Sequence, residues 1–193
     1  FDRFHSKADR IYRVVNWSKA MNGKPEGGST YTPIPLGPTI KADFPDVEIS
    51  VRLREEWDEE LVRVGNIVHR VGLAYADPQV FKMFSFPLLY GDPASVLQER
   101  NSLVLTEKTA LQMFGESNPL GRTLEIKVEE QYVPFTVSGV VQNLPANSSI
   151  QFAMLGNFQF WENIPVVARR LNNWNAHSYQ TFVQLREGSG LAN

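Results

Sequence analysis

Glu55-Glu56-Trp57-Asp58-Glu59-Glu60 is the densest run of ionisable side chains in the sequence, with five carboxylates in six residues. Carboxylates packed this way could hold a cation or meet a basic partner. Paired carboxylates for acid–base work need a fixed separation across a cleft, which spacing along a chain does not supply. The plainer reading is a solvated loop between two strands. His5, His69 and His177 stand far apart and match no H-x-x-x-H or H-E-x-x-H spacing, so they read as structural and no zinc site is expected. Ser29-Thr30 and Ser148-Ser149 lack the G-x-S-x-G context of an activated serine. Gly27-Gly28-Ser29-Thr30 has no lysine and no following helix of the P-loop type. The absence of cysteine excludes disulfide scaffolds, Cys-ligated zinc and thiol nucleophiles. Phe158-Gln159-Phe160-Trp161 is an aromatic run that is hard to bury whole. The expected sites are therefore surfaces: Glu55, Glu56, Trp57, Asp58, Glu59 and Glu60, and with them Phe158, Phe160 and Trp161. No catalytic, cofactor-binding or metal-binding residue is assigned.

The elements that must carry these runs belong to ordinary globular protein. The chain has 193 residues, 42% of them apolar and 21% charged, which is enough to bury a real core. A net charge of −2 argues against a nucleic-acid partner held by a basic field. No apolar stretch approaches the roughly 18–20 residues that span a bilayer. The sequence begins at Phe1, without a secretory signal pattern, and reads as a piece of something longer.

Ile11-Tyr12-Arg13-Val14-Val15 opens a strand expected over 11–17, followed by a Gly- and Pro-rich loop at 19–31. Leu36, Ile40 and Phe44 fall four apart on a short helix that Pro45 ends. Strands are expected at 49–54 and 59–76, the second folded into a hairpin at Gly65-Asn66. Asp77-Pro78 is expected to start a helix that buries Phe81 and Phe84. Ser102–Leu105 is read as a strand. After it, Thr106 should cap a helix carrying Ala110, Leu111 and Phe114, and Gly115 should end it. Thr123–Val128 and Tyr132–Val141 form a hairpin around Glu129-Glu130. On its second arm Val133, Phe135, Val137, Gly139 and Val141 share one parity, which should face the core. Residues 151–178 give no clear period apart from a helical stretch at Val166–Leu171, and Tyr179–Leu185 is a closing strand. Strands, helices and hairpins mix without regular alternation, so the class is α+β.

Several runs taken in order resemble a known family. They are the ADRIYRV stretch at 8–14, YTPIPLGPTIKADFPDVE at 31–48 and ADPQVFKMFSFPLLYGDP at 76–93. NSLVLTEKTALQMFGESNPLGRTLEI at 101–126 and FTVSGVVQNLPANSSIQF at 135–152 follow. Together they resemble the extracytoplasmic core domain of MacB/FtsX-like ABC transporter permeases, in the form common among Bacteroidetes. The resemblance implies a non-catalytic domain on the periplasmic face of the inner membrane, between two transmembrane helices. It implies a membrane-proximal part at 1–97 plus 157–193 and an inserted, smaller part at 98–156. It also implies a second permease copy, a cytoplasmic ATPase, and a protein, peptide or lipoprotein partner outside. Such domains move when ATP is bound and hydrolysed, in export, lipoprotein release or envelope signalling. The family usually continues with a helix and a strand beyond the point where this sequence stops. A secreted or cell-surface binding domain is the alternative, and a hydrolase with a dispersed site is a more distant one.

Overall fold

The computed structural model describes residues 2–18, 27–55 and 58–190. Its strands are β1 (Ile11–Arg13), β2 (Asn16–Ser18), β3 (Gly27–Ser29), β4 (Tyr31–Pro33), β5 (Val47–Arg54), β6 (Glu59–Val64) and β7 (Ile67–Ala76), continuing with β8 (Leu88–Tyr90), β9 (Ser102–Thr106), β10 (Thr123–Val128), β11 (Gln131–Val141), β12 (Met154–Asn157) and β13 (His177–Leu185). The helices are α1 (Leu36–Asp43), α2 (Val80–Met83), α3 (Glu107–Phe114), α4 (Phe158–Glu162) and α5 (Pro165–Ala168). The class is the mixed α+β one that the sequence predicts.

One sheet runs through the molecule in the order β1-β13-β5-β7-β12-β9-β11-β10-β6, and β6 returns to pair with β7. β6, β7, β12, β9, β11 and β10 therefore close into a ring, while β5, β13 and β1 branch from β7 as an open sheet. Closure is narrow: β10 meets β6 through Glu125 opposite Arg63 and Ile126 opposite Val62. Alternating residues of the ring strands, among them Val62, Leu73, Tyr75, Leu103, Leu124, Phe135 and Met154, form one buried cluster. The other face of β7 turns Ala74 and Ala76 into a second cluster with Val51, Leu53, Phe182 and the α2 residues Val80, Phe81 and Met83. Period-two alternation along β7 thus serves two cores at once.

Local signals explain much of this. Thr106 caps α3, its hydroxyl accepting the Thr109 N–H, and Gly115 ends the helix in the left-handed region at φ 68°. In β12, Gly156 lets the strand approach the Tyr75 ring, from which a methyl group would stand 2.9 Å away.

Six expectations are corrected. The 11–17 strand breaks into β1 and β2, and the 19–31 loop contains β3 and begins β4, while 19–26 lies outside the described residues. Asp77 does not cap α2, whose N-cap is Gln79, because its carboxylate is taken by Arg52. Leu111 is exposed, and Thr109 and Met113 are buried with Ala110 instead. The helix in the 166–171 stretch is only Pro165–Ala168. The shared parity on β11 ends at Ser138, an extra residue between Val137 opposite Leu103 and Gly139 opposite Val104. Beyond that bulge Val140 joins the ring cluster and Val141 the other one.

Candidate functional site

Arg52 and Arg54 lie two residues apart on β5, so both leave the same face of the strand. α4 crosses that face and puts an aromatic ring under each. The Arg52 guanidinium sits 4.3 Å from the Phe158 ring centre, and that of Arg54 sits 4.0 Å from the Trp161 ring. Arg52 also donates from Nε and Nη2 to the two carboxylate oxygens of Asp77, at 3.0 and 2.7 Å, and from Nη1 to Glu162 at 2.5 Å. The Arg52 backbone N–H reaches Asp77 as well, at 2.8 Å. Burial works against the charge on Arg52, but Asp77 and Glu162 outweigh it and raise its pKa. The cation thus fastens β5 to the end of β7 and to the end of α4.

Trp161 donates its indole N–H to the Tyr179 hydroxyl at 3.2 Å and stacks on Tyr75 at 5.3 Å between ring centres. Phe160 meets Tyr75 on a parallel plane and Phe135 edge-on. Burial, then the charge of Glu60, push the Tyr75 hydroxyl pKa up, so it stays protonated. Glu60, Tyr75, Lys127, Glu129, Trp161 and Ile164 line a shallow cleft of about 150 Å³. The two runs singled out in the sequence therefore meet, through Glu60 on one side and Trp161 on the other.

Neither run is a uniform surface. Phe158 has 0% exposure and is corrected out of the candidate surface, because Arg52 and the Tyr179 ring cover it. Phe160 and Trp161 are half-buried. In the acidic run, Glu55 accepts from the Tyr31 hydroxyl at 3.0 Å and from Gln180 Nε2 at 2.7 Å. Asp58 and Glu59 are exposed and Glu60 is half-buried, while Glu56 and Trp57 lie outside the described residues. Burial pushes the Glu60 carboxyl above its ordinary pKa, and Arg54 pulls it partly back. Arg52, Arg54 and Glu162 escaped the sequence reading, and Asp77 entered it only as a helix start. Two arginines on one strand face, between Val51 and Leu53, are the signal that could have found the first two.

Chemically, the arrangement orders and fastens. Its Arg52 cation is saturated by the carboxylates of Asp77 and Glu162. Among the described residues no three His, Asp or Glu side chains gather to hold a metal, and no helix is long and apolar enough to cross a membrane. His5, His69 and His177 sit in the N-terminal segment, on β7 and at the start of β13.

The model of the MacB-like periplasmic core domain matches residues 1–193. The chain belongs to that family. A crystallised domain described as part of a permease protein from Porphyromonas gingivalis superposes with a TM-score of 0.79 and 28% identity, over 97% of this chain and 78% of that one. The periplasmic region of MacB from Actinobacillus actinomycetemcomitans shares the fold at a TM-score of 0.61 and 17% identity, covering 94% and 77%. The extracellular domain of the noncanonic ABC-type transporter YknZ from Gram-positive bacteria does so at 0.56 and 14%, covering 92% and 83%. No curated protein matches the chain. The family suggested by the ordered sequence runs is thus the one found, and MacB-like periplasmic core domains are extracytoplasmic parts of ABC-transporter permeases.

Proposed function

We propose that this domain stands on the periplasmic face of the inner membrane and relays movement from the membrane helices of its permease to a partner outside. The parent complex would contain two permease copies and a cytoplasmic ATPase, whose cycle drives the outer domains in export, lipoprotein release or envelope signalling. The domain itself would perform no covalent chemistry. The observation that carries this reading is the family match along the whole of residues 1–193. A saturated cation at the centre of the candidate site accords with it, since fixed pairs transmit force between elements without consuming anything.

The two parts of the domain would be 1–97 with 157–193, and 98–156. The first crossing lies in the turn between β8 and β9, and the second lies where β12 gives way to α4. The β7–β12 and β6–β10 pairings join them in one closed ring, so the domain would move as a rigid body in a hinge or shear transition imposed from the membrane side. The outward partner surface would use the exposed Asp58 together with the cleft that Glu60 and Trp161 line.

An antibody against the domain, applied to source cells and spheroplasts, tests the proposal. The expected antigen is membrane-embedded, much larger than the 193-residue chain, and cut by protease from outside only. A small soluble antigen would overturn it in favour of a free binding domain.

A further inference from the structure

The N-terminal segment is tied to the body by contacts that do not involve the candidate site. His5 is 4% exposed and packs among Phe4, Phe84 and Phe86, with ring centres 4.2, 5.0 and 5.1 Å away. Its Nδ1 accepts the backbone N–H of Ser85 at 3.1 Å. Next to it the Ser6 backbone N–H donates to the Ser85 hydroxyl at 3.0 Å, and Lys7 donates to the Lys82 carbonyl at 2.9 Å. On the other side Asp2 accepts from the Ser149 backbone N–H at 2.9 Å and from the hydroxyls of Ser148 and Ser149. Residues 2–7 thus bridge the segment after α2 and the loop before β12.

A ring nitrogen that accepts a backbone N–H carries no proton of its own. Nδ1 of His5 is therefore bare and the imidazole is neutral, with its hydrogen on Nε2, a buried atom without a hydrogen-bond partner among the described residues. Protonating Nδ1 would set two donors against each other, leave the Ser85 N–H orphaned, and place a charge among three phenylalanine rings. The charged groups around it are Asp2, Arg3 and Lys7 on its own segment, Lys82 on α2, and Arg13 across the cleft that they share. Only Asp2 among them favours the imidazolium, and it is already occupied by Ser148 and Ser149. Burial, the largest influence, lowers the His5 pKa, and the attraction of Asp2 offsets part of that.

We infer that residues 2–7 are an acid-released latch: they hold the segment at 82–86 while His5 is neutral and let go of it when His5 takes a proton. The sign follows from linkage. A histidine whose folded pKa is depressed binds its proton more readily once the contact opens, so closure is complete above the ordinary imidazole range and weakens as pH falls below it. The inference is independent of the transporter reading, since it concerns this chain alone.

The test is a pH titration of the uniformly ¹⁵N-labelled chain by NMR, from pH 7.5 to 4.5. The His5 ring should titrate below the usual imidazole range, and the Ser85, Ser6 and Lys7 amides should shift along the same curve. Asp2→Asn should move that curve to lower pH by removing the attraction on the imidazolium. His5→Phe fills the same aromatic slot and should abolish the common transition. A His5 ring that titrates at the ordinary value, or Ser85 amide shifts that do not follow it, would overturn the latch. So would a common transition that survives in His5→Phe.

Discussion

The side-chain amide of Asn157 donates to the carbonyl of Leu97 at 2.7 Å, across sixty residues of sequence. Its nitrogen also faces the carbonyls of Gln98 and Glu99 at 3.4 and 3.3 Å, while its oxygen accepts the Gln159 N–H at 2.8 Å and so caps α4. Leu97 is fully buried with φ 61°, a left-handed conformation that a branched side chain rarely adopts. A wholly buried asparagine thus stitches together the two points at which the chain would pass between the proposed parts.

Asn157→Asp keeps the shape and the helix cap but turns a donor into an acceptor that faces Leu97. It should cost about 1–3 kcal/mol, the usual penalty for an unsatisfied buried polar group, with more if the carboxylate stays ionised. Urea unfolding measures this directly. A loss under about 0.5 kcal/mol would show that the three carbonyls find other donors.

The contact between Arg52 and Asp77 makes a second prediction. Their side chains are 9% and 13% exposed, so the pair is shielded from solvent and salt. Arg52→Met removes the cation and strands the carboxylates of Asp77 and Glu162, for an expected loss of about 3–5 kcal/mol. Asp77→Asn in the same background should restore part of that loss, because the stranded charge is gone. Purely additive losses in the double-mutant cycle would mean that the two residues act separately.

How far the sequence reveals this molecule depends on whether the deciding partner is local. Thr106 and Gly115 bracket α3 as expected, because a cap and a left-handed stop are made within one helix. The β6–β7 and β10–β11 hairpins are legible for the same reason. Asp77 misleads because Asp-Pro is a sound helix-start signal, yet an arginine twenty-five residues earlier claims its carboxylate. Ser138 flips the parity of β11 with one inserted residue that no composition marks. Phe158 looks hard to bury until Arg52 supplies a cation above its ring. Of the acidic run, spacing shows the charge but not that Glu55 is claimed by Tyr31 and Gln180, contacts that arrive from β4 and β13.

Glu60 supplies the pH prediction. Burial raises its folded pKa, with Asp58 adding to the effect and Arg54 opposing it. A raised carboxyl pKa means that the folded chain holds the proton more tightly than the unfolded one. Glu60 therefore favours folding below the ordinary glutamate range, and that contribution is lost as pH rises through the folded value. Above it the ionised carboxylate is a standing cost. Glu60→Gln keeps the volume without the charge and should be more stable than the parent at pH 7, with the difference vanishing near pH 4. Because the group is only half-buried, the gain should stay below about 1 kcal/mol, which is about 2–4 °C or less in Tm at this chain length. Glu59→Ser, one residue away but exposed, should change stability by less than about 0.5 kcal/mol. Calorimetry at pH 4, 5.5 and 7 separates the two variants. A Glu60→Gln variant less stable than the parent at pH 7 would show that attraction to Arg54 exceeds the burial penalty.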